Sequence, residues 1–582
     1  MIRPLPLLAA LILLPACATV PPPSHSPLAP VEIRIAGIND FHGNLRPLKT
    51  PVEVATVDGG TARVPAGGAA WLAATVAAVR ARAPHSLVIS AGDMIGASPL
   101  ESAAFLDEPA IGVMNRIGVD FNALGNHEFD RGWRELKRLH GGGCEKLTGR
   151  IPCAVEPDYK GAAFDFLAAN VVTEGGGTLF PARGTRSFGE GAGKVTVGVV
   201  GLPLKDVPSL VTPGGVAGLT FADEADAANR EVAALLAEGA DVIVVAIHQG
   251  LYTEPGSAVD GCGAVSGDLQ PILARLDSRV DLVISGHTHR AYVCDWAQVD
   301  PAKSFLVTSA GYGGALVTDI ALSVDPVAGR VVAKSARNIV VQSEGKARDG
   351  TPLATSAALP SHAPDGAIAA YVARYVAAVA EVSKRPVGKV SGEVVLPDAD
   401  DVETPLGDMI ADSQLAATRE AGAQIAFMNN AGVRSGLMPQ ADGTVTFGDL
   451  YAIQPFGNTL VTRTFTGAQL LAMLEQQFAN PAKRQILSPS AGFRFAYDRS
   501  RPAGQRIVRA ALDGQAIEPD RRYRVTMNSF LAGGGDGFTV FTQGTDTIMG
   551  GEDIDAMQAW LAAVPVRQLP VADRVTNLTP AR

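Results

Sequence analysis

DLVISGHTH, residues 281–289, is a short apolar run that stops on two histidines, and its reading decides the fold. A short β-branched run bounded by glycine reads as a buried strand, and in open α/β sheets ligands lie beyond the carboxyl ends of the strands. Four other runs stop in the same way. VEIRIAGIND, residues 31–40, leads to Asp40 and His42, and SLVISAGD, residues 86–93, ends on Asp93. VDFNALGNHEFD, residues 119–130, carries Asn126, His127 and Asp130, and DVIVVAIH, residues 241–248, ends on His248. Delivered to one edge of one sheet, these polar ends would form a single site.

The residue types suit cations. Asp40-x-His42 and His287-x-His289 each place two donors on one side of an extended segment, because strand side chains alternate. Asp93 follows a glycine and is placed to bridge two cations through its two oxygens. Asn126 and His248 complete seven nitrogen and oxygen donors without a thiolate. That set suits Zn, Mn, Co or Fe, not a structural thiolate zinc site. Seven donors with one shared carboxylate fit two divalent metal ions, which in two-metal hydrolases lie about 3.5–4 Å apart. One Gly-Asp or Asn-His after a strand is ordinary turn chemistry. Five of nine histidines at such run ends are not.

The 582 residues are 47% hydrophobic and 19% charged, enough for a sizeable core and more than one domain. A net charge of −10 argues against a nucleic-acid duplex or an anionic membrane surface as main partner. An anionic small substrate remains compatible, since bound cations reverse the local field. The N-terminus reads as a targeting segment: Arg3, the apolar Leu5 to Leu14, then Leu14-Pro15-Ala16-Cys17. This resembles a bacterial lipoprotein signal peptide, residues 1–17, with Cys17 lipidated; an ordinary secretory signal is the alternative. Residues 18–30, rich in Pro and Ser, read as a tether, and Ala18 points to the outer membrane on the periplasmic face. No later run is expected to span a bilayer. Cys144, Cys153, Cys262 and Cys294 suggest two disulfides in an exported protein, with three pairings open.

From residue 31 to 345, β-like runs alternate with Ala-rich helical stretches such as Gly68 to Ala83 and Ala222 to Ala237, the pattern of an α/β layered domain. Residues 346–385 read as a linker followed by a connecting helix from Asp365 to Lys384. A second domain, residues 386–582, opens with Thr404-Pro405, a good cap and first-turn pair for a helix that Gly422 is placed to end. Its loops Asn430-Ala431-Gly432-Val433-Arg434, Gln454-Pro455-Phe456-Gly457-Asn458 and Leu531 to Gly537 are dense in glycine, which lets backbone approach a ligand closely.

The order Asp-x-His, Gly-Asp, Gly-Asn-His-Glu, His, Gly-His-x-His resembles the calcineurin-like metallophosphoesterases. NNAGVRSG, QPFGN and NSFLAGGGDGF are similar to the C-terminal half of the 5′-nucleotidase family, which includes periplasmic UDP-sugar hydrolases. The resemblance implies a four-layer α/β/β/α domain followed by a smaller α+β substrate-binding domain. It implies one metal at Asp40, His42, Asp93 and His289 and a second at Asp93, Asn126, His248 and His287. His127 would be the catalytic histidine, oriented by Asp130, and water or hydroxide on the metals the nucleophile. A carboxylate beside a histidine favours the protonated ring, which can stabilise phosphoryl charge or protonate a leaving oxygen. Phe456 and Phe530 would sandwich a nucleobase, Asn430, Asn458 and Asp536 would contact the nucleoside, and Arg434 would hold the phosphate.

One departure bears on substrate. Firm 5′-nucleotidases carry a further arginine before the helix that starts at Thr404-Pro405, where this chain has Pro397-Asp398-Ala399-Asp400-Asp401. The leading expectation is hydrolysis of nucleoside 5′-monophosphates, with UDP-sugars as further substrates, by a monomer. The alternatives are a 2′,3′-cyclic-nucleotide 2′-phosphodiesterase with 3′-nucleotidase activity and a non-catalytic nucleotide-binding lipoprotein.

Overall fold

Three of the runs become adjacent parallel strands of one six-stranded sheet: β1 (Val31–Ile38), β2 (His85–Ser90) and β3 (Phe121–Ala123). The other two become adjacent parallel strands of a second six-stranded sheet, β4 (Val242–His248) and β5 (Leu282–Ser285). The polar ends therefore come from two facing sheets and not from one edge of one sheet. This computed structural model describes residues 28–49, 51–55, 61–148, 150–211, 213–253, 258–345, 352–397, 402–479 and 485–580. The leader with Cys17 and the acidic residues 398–401 lie outside the described residues.

Each run buries because both of its faces are covered. Ile33, Ile35, Leu87, Ile89 and Phe121 of the first sheet meet Val244, Leu282 and Ile284 of the second in a core between the sheets. The helix α1 (Ala69–Arg80) covers the outer face of the first sheet, and α2 (Glu224–Ala237) that of the second, giving the four layers. Near-continuous apolar strands are what two covered faces require. Two disulfides, Cys144–Cys153 and Cys262–Cys294, settle the pairing and fit an exported protein.

The connecting helix α3 (Gly366–Lys384) starts where Asp365 accepts a hydrogen bond from Ile368 N at 2.9 Å. By length and composition it is the one described helix that could cross a membrane, contrary to the expectation from the sequence. Here it packs as a domain helix: Ile368, Tyr371, Val372, Tyr375 and Val379 are buried in the large core cluster. Tyr371 fills the space where a side chain on Gly112 would stand and donates to Glu156 Oε2 at 3.1 Å.

In the second domain Thr404 caps α4 (Pro405–Ala417) through Gly407 N at 3.0 Å, and Gly422, at φ 78°, follows a further short turn. A five-stranded sheet follows, in which β6 (Ile425–Asn429) and β7 (Arg522–Asn528) are parallel neighbours. Their carboxyl ends release the loops of Asn430 and of Phe530 to Asp536 side by side.

Candidate active site

Asp40, His42, Asp93, His287 and His289 all have positive φ, from 46° to 74°, five of the twelve such non-glycine residues described. Left-handed backbone costs an L-residue on the order of 1–2 kcal/mol, and such strain gathers at functional turns. The pairing of Asp40 with His42 and of His287 with His289 does not arise from strand alternation, because β1 stops at Ile38 and β5 at Ser285. It arises from tight turns tied to each other: Asp40 N donates to Gly92 O and His42 N to Asp93 O, both at 2.9 Å. Gly125 leaves room for a neighbour, since a Cβ there would stand 2.2 Å from Asp93 Oδ1.

The side chains converge. His42 Nε2 lies 3.8 Å from Asp40 Oδ1, 3.7 Å from Asp93 Oδ2 and 3.2 Å from His289 Nε2. His289 Nε2 is 3.4 Å from Asp40 Oδ1, and His248 Nε2 is 2.9 Å from Asp93 Oδ2. His287 Nδ1 is 3.1 Å from Asn126 Oδ1. All seven sequence-derived donors are thus brought together. Asp93 differs in detail: Oδ1 accepts from His127 N at 2.8 Å, so only Oδ2 faces both His42 and His248.

The electrostatics favour cations. His42 and His248 direct Nδ1 to the carbonyls of Gly96 at 2.9 Å and Ala91 at 2.7 Å, which leaves each Nε2 as a lone pair facing inward. His248 Nε2 is buried with no well-formed hydrogen bond, opposite a carboxylate oxygen. Positive charge is needed between them. Among protein groups alone a proton supplies it: burial opposes, but the Asp93 and Asp40 charges raise His248 to about 10. Burial and His248 lower His287 to about 3, and burial lowers His289 to about 4, so both stay neutral donors. Burial opposes ionisation of Asp40 and Asp93 as well, but the histidines hold both carboxyls below the usual range. An orphaned nitrogen, neutral imidazoles and ionised carboxylates fit divalent cations.

Next to this cluster, Asp130 Oδ2 lies 2.8 Å from His127 Nδ1. Burial opposes protonation of His127, but Asp130 and Asp93 raise its pKa. The second domain reaches in here. Phe456 stacks on His127 with ring centroids 5.8 Å apart and planes 20° apart, and Arg434 Cζ lies 6.0 Å from the Phe456 ring. Arg434 Nη2 is buried without a partner. Phe530 lies against Gly535, and among the described residues no ring contact joins it to Phe456. Asn458 Oδ1 accepts from Ser529 Oγ at 3.0 Å, and Asn430 Oδ1 accepts from Ile486 N at 3.1 Å. Asp536 Oδ2 accepts from Asn429 Nδ2 at 2.7 Å. A groove of about 1490 Å³ opens beside His289, Tyr312 and Arg434, and a pocket of about 280 Å³ beside His287 and Asp536.

Residues 33–291 match the family model for calcineurin-like phosphoesterases, and residues 386–543 that for the 5′-nucleotidase C-terminal domain. The chain belongs to the 5′-nucleotidase family of calcineurin-like phosphoesterases. The crystal structure of a 5′-nucleotidase precursor from Thermus thermophilus is 28% identical, with a TM-score of 0.74 over 94% of this chain and 99% of that one. Endonuclease YhcR of Bacillus subtilis is 29% identical over 91% of this chain and 40% of its own length. Cell wall protein Lmo0130 of Listeria monocytogenes is 30% identical over 88% of this chain and 64% of its own. The chain thus spans less than two thirds of the length of these two relatives.

Several supporting residues escaped the sequence reading. Glu128, inside the Gly-Asn-His-Glu motif, is buried and accepts three backbone N–H groups: Asp93 at 2.9 Å, Met94 at 2.9 Å and Gly125 at 2.6 Å. Asn39 ties Asp40 Oδ2 at 2.7 Å to the backbone of Ala310 and Gly311. Tyr312 packs on the rings of His289 and His42, at 4.5 and 5.4 Å between centroids. Asn429, which precedes the predicted Asn430, donates to Asp536. Glu128 and Asn39 each adjoin a motif residue, which is a signal of position only; their partners come from other strands.

Proposed function

We propose that the chain is an exported phosphoesterase that hydrolyses nucleoside 5′-monophosphates, with UDP-sugars as further substrates. Asp40, His42, Asp93 and His289 would hold one divalent ion; Asn126, His248 and His287 would hold a second together with Asp93. Bound there, Zn, Mn, Co or Fe would polarise the phosphoryl group and lower the pKa of a water. His127 sits beside the donors and holds a proton on the side away from Asp130, where it offers that proton to a phosphoryl or leaving oxygen. Asp130 fixes the ring and favours its charged form. Arg434, with an unpartnered guanidinium nitrogen next to His127, supplies a fixed positive charge for the phosphate. Phe456 and Phe530 take the base, and Asn458 and Asp536 the nucleoside's polar edge.

The observation that carries this reading is convergence: Phe456 and Arg434 arrive from the second domain directly over His127 of the first. Apolar ring, cation and acid–base group lie within one substrate length. The cyclic-nucleotide reading draws on a different observation, the acidic stretch 398–401 where firm nucleotidases place arginine. Phosphate release from AMP and from 2′,3′-cyclic AMP, the latter with an added monoesterase to count ring opening, separates them. Preference for AMP supports the first, and preference for the cyclic ester replaces it with the second. We also propose anchoring of the exported chain through lipidated Cys17, which palmitate labelling of the wild type and of Cys17→Ala tests.

A further inference from the structure

Asn39 stands one residue before the first cation donor and is 3% exposed. Its side-chain amide is used in full. Oδ1 accepts from Ala310 N at 2.7 Å, and Nδ2 donates to Gly311 O at 2.8 Å and to Asp40 Oδ2 at 2.7 Å. The two backbone partners fix the orientation of the amide, because a backbone N–H only donates and a carbonyl only accepts. The N–H turned to Asp40 is therefore settled by a loop 271 residues further along the chain.

That contact decides how Asp40 is presented. Its Oδ1 faces the histidines, 3.4 Å from His289 Nε2 and 3.8 Å from His42 Nε2. The His287 backbone N–H lies 3.1 Å from both carboxylate oxygens and does not choose between them. Asn39 breaks that symmetry by holding Oδ2. The same amide seats the loop that follows: Gly311 leads into Tyr312, whose ring packs on His289 and His42 at 4.5 and 5.4 Å between centroids. A backbone bond from Gly313 N to Asp40 O at 2.7 Å holds this loop as well, so loss of the amide would loosen the seat without releasing it. The remaining donors are steadied elsewhere. His248 Nδ1 lies 2.7 Å from Ala91 O, and His287 Nδ1 lies 3.1 Å from Asn126 Oδ1. Among the described residues, Asn39 bonds to none of these.

We propose that Asn39 is a positioning residue for one cation of the pair: it turns Asp40 and seats Tyr312 so that Asp40, His42 and His289 act as one donor set, and it leaves the set of Asn126, His248 and His287 largely as it is. The proposal rests on the donor assignment above. Partners that orient a metal ligand typically contribute about 10–100-fold to metal affinity.

The test titrates Mn²⁺ into EDTA-stripped wild type, Asn39→Ala and Asn39→Leu and follows free Mn²⁺ by electron paramagnetic resonance. Leucine keeps the volume of the side chain without its bonds, and thermal melting of the stripped proteins reports folding apart from metal. Wild type is expected to take up two ions per chain. Both variants should melt cooperatively and bind one ion about 10–100-fold more weakly, with the other near its wild-type affinity. Equal weakening of both ions, or unchanged affinity for both, overturns the proposal. Loss of cooperative melting in both stripped variants overturns it too, since Asn39 would then be a residue of the fold. A wild type that binds a single ion, weakened in both variants, keeps the role of Asn39 and removes the second-ion assignment. A wild type that binds none removes the donor assignment and the proposal with it.

Discussion

Glu128→Gln should damage the site without touching a cation donor. The carboxylate takes the N–H of Asp93 and Gly125 on Oε2 and that of Met94 on Oε1, and among the described residues these amides have no other acceptor. Glutamine keeps one oxygen. If it serves Asp93 and Gly125, the amide nitrogen faces Met94 N, donor against donor. Burial and the Asp93 charge push Glu128 up to about 7, so the bond that is lost is worth about 0.5–1.5 kcal/mol as an ordinary hydrogen bond, and one buried donor is left unpaired, at about 1–3 kcal/mol. Relaxation of the turn recovers part of this, so the expected loss is about 1–3 kcal/mol. Denaturant unfolding of the variant should show a lower midpoint at unchanged m-value. Because the same turns carry Asp93 and His127, kcat on p-nitrophenyl phosphate should fall as well. A variant with wild-type midpoint and wild-type kcat would refute the claim that Glu128 holds these turns.

Asp93→Ala should remove both metal ions and activity together, as measured by elemental analysis; two ions still bound would contradict the role of Asp93 as the shared ligand. His127→Ala should lower kcat while metal content is kept, although His127 lies close enough to His42 and Asp93 to be tested as a ligand itself. Loss of metal would make it one. Phe530→Ala should raise KM for nucleotides and spare small aryl phosphates, and an equal loss on both would mark a packing residue. Removing Cys262–Cys294, which closes the longer loop with a separation of 32 against 9, should cost about 4 kcal/mol against about 3 for Cys144–Cys153. Paired Cys→Ala variants in calorimetry check the order.

Strand identity and the candidate donors are legible because they depend on local sequence: a β-branched run and the residue that stops it. Asp40, His42, Asp93, Asn126, His248, His287 and His289 are picked out as candidate donors on the premise of one shared sheet edge, whereas they converge from two facing sheets. Which sheet each strand joined was not legible, since β1 to β3 and the pair β4 and β5 carry the same kind of apolar run. Nor was the left-handed backbone at the donors, which follows from amides tied across loops over 50 residues apart, such as His42 N to Asp93 O. Glu128 was passed over for the same reason. A buried carboxylate is identified by what it accepts from, and Asp93 and Met94 reach it from another strand.

The two domains are held in their present relation chiefly by apolar burial, and that bears on how the site is set. One hydrophobic cluster runs from Phe41 and Leu45 beside the donors, through Tyr371 and Tyr375 of α3, to Leu406, Met409, Leu450 and Tyr451 of the second domain. Polar contacts cross as well, among them Lys49 Nζ to Asp449 Oδ1 at 2.6 Å and Arg150 Nη2 to Tyr451 Oη at 2.9 Å. Lys49 is half-exposed, so that pair contributes at most about 1 kcal/mol. Burial of whole side chains at about 25 cal/mol per Å² outweighs it. Asp449, Leu450 and Tyr451 belong to the short helix Phe447–Ile453, which leads directly into the loop of Phe456. The helix is seated by the core, and its seating places Phe456 over His127. Since Tyr371 is locked to Gly112 and Glu156 of the first domain, α3 travels with that domain. Any separation of Phe456 from His127 must therefore turn on residues after Lys384, and must uncover Leu450 and Tyr451 before the loops that carry them can part.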